Sequence, residues 1–163
     1  MHITYPNAQI MQELDETDRK LLNLIQQNNK RSAEELGEEL NLSPSAVQRR
    51  LQRLRSNGTI EADISVISPH ALGLQLGFIV EVSLNLGNSS VIEEFKKLMV
   101  SCREVLQCYY VAGVYDFILI IYTKDMNHYE RFSKTYLMDN KHVKQYYTHV
   151  MLNKVKVQYG VQV

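Results

Sequence analysis

Two regimes of apolar spacing in one chain predict an α+β fold, with three short helices first and a βαββαβ sheet domain after them. Three observations carry this reading. Between residues 14 and 56 apolar side chains recur at helical intervals, and Asp15, Ser32 and Ser43 each stand where a helix N-cap belongs. From Gly77 the apolar period drops to two, as on a strand with one buried face. Beyond that strand, helical stretches alternate with further strand-like runs. The predicted boundaries are a tail over residues 1–13, a helical domain with a hinge strand over 14–67, a linker over 68–76 and the sheet domain over 77–163.

The first helix spans Leu14 to Asn28, capped by Asp15, with Leu21, Leu22, Leu24 and Ile25 facing inward. The second begins near Ala33, because Ser32 can accept from the amide of Glu35 while the Glu35 carboxylate reaches back to the amide of Ser32. Leu36 and Leu40 give it one apolar side, and Glu34, Glu38 and Glu39 point outward. After Asn41 and Leu42 the chain restarts at Ser43, with Pro44 in the first helical position, where a missing amide hydrogen costs nothing. Val47, Leu51 and Leu54 form the buried stripe of this third helix, and Gly58 after Asn57 supplies a left-handed stop. Two capped helices across so short a turn make a helix-turn-helix. Thr59 to Ile67 alternates loosely through Ile60, Ile64 and Val66, which predicts a short wing or hinge strand and completes a winged helix-turn-helix.

Opposite the buried stripe, the third helix and its cap present Ser43, Ser45, Gln48, Arg49, Gln52 and Arg53, with Arg50 and Arg55 nearer the edges, and not one acid. Arginine pairs bidentately with guanine and glutamine with adenine in the major groove, while spare arginines neutralise phosphates. The second helix is acidic outside and the third basic, so charge is sorted rather than scattered, which predicts double-stranded DNA as a partner. The whole chain is neutral, with 18 basic and 18 acidic side chains, so affinity must come from this local patch and from pairing two readers on a two-fold site.

In the second domain Phe78, Val80, Val82, Leu84 and Leu86 share one strand face, and Glu81, Ser83 and Asn85 the other. Asn88 leads into a helix with Val91, Ile92, Phe95, Leu98 and Met99 on its sheet side. Val105 to Ala112 and Asp116 to Tyr122 bracket a tight Gly113, Val114, Tyr115 connection, a hairpin; Asp125 to Met138 forms a helix around Tyr129, Phe132 and Tyr136; Val143 to Val157 is the last strand. With both helices on one face, this order is ferredoxin-like. The other face would expose Tyr109, Tyr122, Tyr146 and Tyr147, an apolar patch that predicts burial against a second copy and hence a homodimer.

Catalysis finds little support. The histidines are spread from His2 to His149 without a carboxylate or thiol at a telling spacing, no glycine-rich phosphate loop exists, and no zinc spacing is present, so neither metal nor cofactor is expected. Cys102 and Cys108 read as isolated reduced thiols. Apolar stretches fall far short of a membrane span, and Asn7, Gln9 and Glu13 stand where a signal peptide needs an apolar run, so a soluble cytoplasmic protein is expected.

Residues 14–60, LDETDRKLLNLIQQNNKRSAEELGEELNLSPSAVQRRLQRLRSNGTI, followed by PHALG, VLQCYYVAGVYDFILIIYTKDMNHYERF, then TH and VK, resemble the Lrp/AsnC family of bacterial and archaeal transcription regulators. The resemblance covers almost everything past Gln12 and implies a sequence-specific regulator that dimerises through its C-terminal sheet, assembles into tetramers or octamers, and responds to an amino acid. It also implies an effector site between subunits, near a family turn that reads Gly-Asp-Tyr-Asp and near the end of the last strand. Here that turn is Gly113, Val114, Tyr115, Asp116, with Asp116 the candidate for a ligand ammonium and Tyr115 and Thr148 the candidate polar contacts. Val114 departs from the family carboxylate, and an aspartate that merely caps the hairpin is the competing reading of Asp116. Two other functions share this architecture. One is a sirohaem-decarboxylase-like enzyme, for which His70, His128, His142 and His149 are available; the other is an amino-acid-binding module with a vestigial reader.

Overall fold

The computed structural model describes residues 13–85, 89–161 and 163. They form two compact units: one runs to Ser65 and takes in Lys156–Val163, and the other is Val66–Val155. The last eight residues therefore leave the sheet domain, to which the sequence reading gave everything from 77 to 163.

The first unit holds α1 (Glu16–Gln27), α2 (Ala33–Leu40) and α3 (Pro44–Ser56). All three predicted caps form. Asp15 accepts from the Asp18 amide at 2.7 Å, Ser32 and Glu35 make a reciprocal capping box, and Ser43 accepts from Ala46 at 3.2 Å. Asn41 ends α2 in the left-handed region (φ 54°), and the Leu42 amide returns to the Gly37 carbonyl at 2.9 Å, so the turn into α3 closes within two residues. Leu21, Leu22, Leu36, Val47 and Leu54 are buried together at the centre of the unit. Against them pack Leu24, Ile25, Leu40, Leu51, Ile60 and Val163.

The expected hinge strand over 59–67 does not form. Ile60 joins the helical core and its amide reaches the Leu54 carbonyl at 2.8 Å, but Ile64, Val66 and Ile67 stand 56%, 60% and 60% exposed. Alternation alone makes no strand, since the ladder needs a neighbour, and none lies alongside among the described residues.

The second unit opens with a 3₁₀ turn, His70–Leu72, and then holds β1 (Leu76–Leu84), α4 (Ser89–Ser101), β2 (Val105–Tyr110), β3 (Phe117–Thr123), α5 (Met126–Ser133) and β4 (Val143–Val150). The sheet order is β2-β3-β1-β4 with every pairing antiparallel, the ferredoxin-like arrangement. Its core lies between the sheet and the two helices: Phe78, Val80, Val82 and Leu84 of β1 meet Val91, Phe95 and Met99 of α4 and Tyr129 and Phe132 of α5. The predicted helix to Met138 continues beyond Ser133 as a π turn, Lys134–Met138, which still buries Leu137. Leu86 and Asn88 lie outside the described residues.

Two strand expectations change. β4 stops at Val150, short of Val157, because its partner β1 begins at Leu76 and the last contact along that edge is the Met151 amide on the Gly77 carbonyl at 2.8 Å. Tyr146 pairs with core-facing Val82 and packs on the helix side, so it does not join the open face. That face carries Ile79, Ile118, Ile120, Tyr109 and Tyr147, while Tyr122 is covered by Met151 and Lys154.

Candidate nucleic-acid interface and effector turn

Alpha-helical geometry makes α3 two-sided. Val47 and Leu54 are fully buried, and Ser43, Ser45, Gln48, Arg49, Gln52 and Arg55 are exposed. Within that set Gln48, Arg49 and Gln52 have no hydrogen-bond or ion-pair partner among the described residues, so their donors and acceptors are available to an incoming surface. Ser43 and Ser45 share a hydroxyl contact of 3.1 Å at the start of the helix.

Arg50 and Arg53 are placed differently from the sequence expectation. Arg50 donates from Nη1 to Asp15 Oδ2 and Asp18 Oδ1, both at 2.7 Å, and Arg53 Nη2 donates to Asp18 Oδ2. Asp18 has no exposed surface at all. A buried carboxylate survives only when cations or donors satisfy it, and two guanidinium groups from α3 do so here. The Asp18 amide, and after it Arg50, hold the Asp15 carboxyl below its usual range, and Asp15 in turn raises Arg50. Sequence reasoning missed these acids as arginine partners. The signal was present: Asp18 lies on the same stripe as Leu21, Leu22 and Ile25, where a charge must be buried and so must be paired. Arg55 pairs with Asp63 at 2.8 Å, with side chains 48% and 42% exposed, a loose surface pair.

At the other candidate site Gly113 takes φ 155°, which L side chains rarely enter, and Val114 is 83% exposed at the tip. Asp116 turns back into the sheet. Its amide donates to the Val82 carbonyl at 2.9 Å and its Oδ2 accepts from the Leu84 amide at 2.7 Å, so the carboxylate ties the hairpin to β1. Tyr115 lies edge-on to Tyr147 at 5.9 Å, and its hydroxyl is raised by burial and then by Glu81, which also meets His149 at 3.3 Å. Thr148 is not part of this cluster. It bonds the Tyr129 hydroxyl opposite core-facing Val80, on the helix side of the sheet. The neighbours that sequence reasoning missed are Glu81, Tyr147 and His149, which only the strand register brings to the turn.

The histidines offered for a tetrapyrrole do not converge. His128, His142 and His149 face Glu104, Glu94 and Glu81 respectively, and His70 lies in the 3₁₀ turn. Among the described residues no group of three or more His, Cys, Asp or Glu could hold a metal ion. Burial pushes both Cys102 and Cys108 up to about 11, so neither thiol ionises appreciably at neutral pH. A cavity of about 200 Å³ is lined by Glu94, Phe95, Leu98, Asn140 and His142, but its polar groups already serve one another. No helix among the described residues is long and apolar enough to cross a membrane.

Comparison with known proteins matches both units. Residues 14–55 fit the model of the AsnC-type helix-turn-helix domain, and residues 77–161 that of the Lrp/AsnC ligand binding domain. An uncharacterized HTH-type transcriptional regulator of Sinorhizobium fredii is 44% identical over 151 residues, 93% of this chain and 89% of its own. The leucine-responsive regulatory protein of Escherichia coli is 31% identical over 144 residues, 88% of each chain. Among solved structures, a transcriptional regulator of Neisseria meningitidis in complex with L-Met superposes with a TM-score of 0.85 at 29% identity, over 91% of this chain and 96% of that one. AsnC of Escherichia coli, 18% identical, shares the fold with a TM-score of 0.84, over 93% of this chain and 100% of its own.

Proposed function

This chain belongs to the Lrp/AsnC family of helix-turn-helix transcription regulators, and from that premise we propose that α3 reads double-stranded DNA through Gln48, Arg49 and Gln52. The observation that carries the reading is their exposure without partners among the described residues, on a helix whose opposite side buries Val47 and Leu54. Ser43 and Ser45, at the start of the helix, suit backbone phosphate oxygens, and Arg55 can leave its exposed pair for a phosphate. Arg50 and Arg53 act as internal ties between α3 and α1.

The effector is an amino acid, as the L-Met complex of the Neisseria regulator suggests, and it binds near Gly113, Val114, Tyr115 and Asp116 where subunits meet. Asp116 keeps one carboxylate oxygen for its ammonium, while Thr148, held by Tyr129 on the helix side, is left out of the proposed site. The protein works as a homodimer or a higher assembly in the cytoplasm, and it has no catalytic role. Apolar Ile79, Ile118, Ile120 and Tyr109 on the open sheet face support that assembly.

The test is selection of bound genomic fragments by purified protein, followed by titration of the selected site. Arg49→Ala or Gln52→Ala should each cost about 1–3 kcal/mol at one base pair, as a bidentate contact does. Unchanged affinity in both variants would remove α3 as the reader. Amino acids added singly to the titration should change the affinity; no change with any of them would remove the effector.

A further inference from the structure

Four arginines line α3, yet their charges do not have equal freedom. Arg49 is exposed and has no partner among the described residues. Arg55 shares an ion pair in which both side chains are about half in water, so exchanging Asp63 for another anion costs little. Arg50 and Arg53 are bound to a carboxylate with no exposed surface, and Asp15 adds a second acid to Arg50. If either arginine swung out to a phosphate, Asp18 would lose a cation while still buried, and a buried charge stripped of its partner is strongly disfavoured. The two acids and two arginines cancel, and the basic appearance of the helix overstates what DNA would meet.

We propose that Asp18 sets the backbone affinity of the reader: by holding Arg50 and Arg53 against α1, it withholds two of the four α3 guanidinium groups from the DNA backbone. Phosphate attraction is indifferent to sequence, whereas Gln48, Arg49 and Gln52 contact base edges. Withholding backbone charge therefore lowers affinity for cognate and random DNA alike and flattens the salt dependence of both, which leaves discrimination to the base-facing side chains. Asp18 acts through the arginines and touches no DNA itself, so it is a positioning residue. The inference rests on α3 being the reader.

The experiment measures affinity for the selected site and for random duplex between 50 and 200 mM salt, in the full chain and two variants. Asp18→Asn keeps the shape and removes the buried charge. Its log–log salt slope on random duplex should steepen by about 0.9, the increment for one further phosphate contact, so that the affinity ratio between the two salts grows about threefold. Its slope on the selected site should steepen by the same amount, leaving the specific-to-random ratio unchanged. A uniform loss of affinity at unchanged slope would show Asp18 to be a brace only and overturn the proposal.

The triple variant D18N/R50Q/R53Q guards against a fold too weak to measure, since it carries no stranded charge. It should keep the parent's slope. A slope flatter by about 1.8 would mean that both arginines already contact phosphates in the parent, which also overturns the proposal. Failure of the premise is read separately: Arg49→Ala and Gln52→Ala both without effect in the parent would remove α3 as the reader before Asp18 is considered.

Discussion

Gly37 sits inside α2, where glycine costs about 1 kcal/mol relative to alanine, so a packing reason must outweigh that penalty. The reason is the turn into α3: a Cβ on residue 37 would lie 2.6 Å from the Leu42 carbonyl oxygen, a backbone atom with little room to retreat. Gly37→Ala thus sets a helix gain of about 1 kcal/mol against overpacking of about 1–3 kcal/mol. Clash should win, with a lowered urea midpoint for the helical unit; a raised midpoint would mean that the turn yields freely. Asp18 gives the companion lesson about charge. A residue's sign says little about the field it projects until its partner is known, and here the partners lie 32 and 35 positions away in sequence.

Among elements, those with local causes were the most legible. Each helix of the first unit starts where a side chain caps it, since Asp15, Ser32 and Ser43 act on amides three residues on and the sequence displays such pairs directly. Ser32→Ala should accordingly destabilise by about 1 kcal/mol, seen as faster amide exchange along α2, while DNA affinity well below the melting range stays put because Ser32 lies off the α3 face. Exchange unchanged along α2 would deny the cap its weight. What depends on distant partners was not legible. The segment over 59–67 has strand-like alternation but no neighbour, β4 ends where β1 has nothing more to pair with, and Thr148 parts from Tyr115 because adjacent strand positions face opposite sides. For the same reason the hairpin turn was legible in its glycine and its candidate effector role in the family resemblance, while Glu81 and His149 beside it emerged only with the sheet register.

At the scale of the whole molecule, the homodimer proposed above would bury the open sheet face. Placing a charge there by Ile79→Glu should convert a dimer at micromolar concentration into monomers by sedimentation velocity and weaken operator binding by at least tenfold, because two linked readers gain far more than either alone. A variant that sediments as the parent does would locate the contact elsewhere. The chain's last residues return to the helical unit, where Asn23 Nδ2 donates to the Val163 carbonyl at 2.8 Å and Gln26 Oε1 accepts the Val161 amide at 2.6 Å. Those side chains grip peptide groups, which every residue type but proline offers in full. Val157, Tyr159 and Val161, each more than half exposed, can therefore drift in identity at little cost, while a deletion that shifts the spacing, or a proline at 161, breaks the grip. Mutational tolerance along this stretch should follow its length and backbone donors rather than its side-chain chemistry.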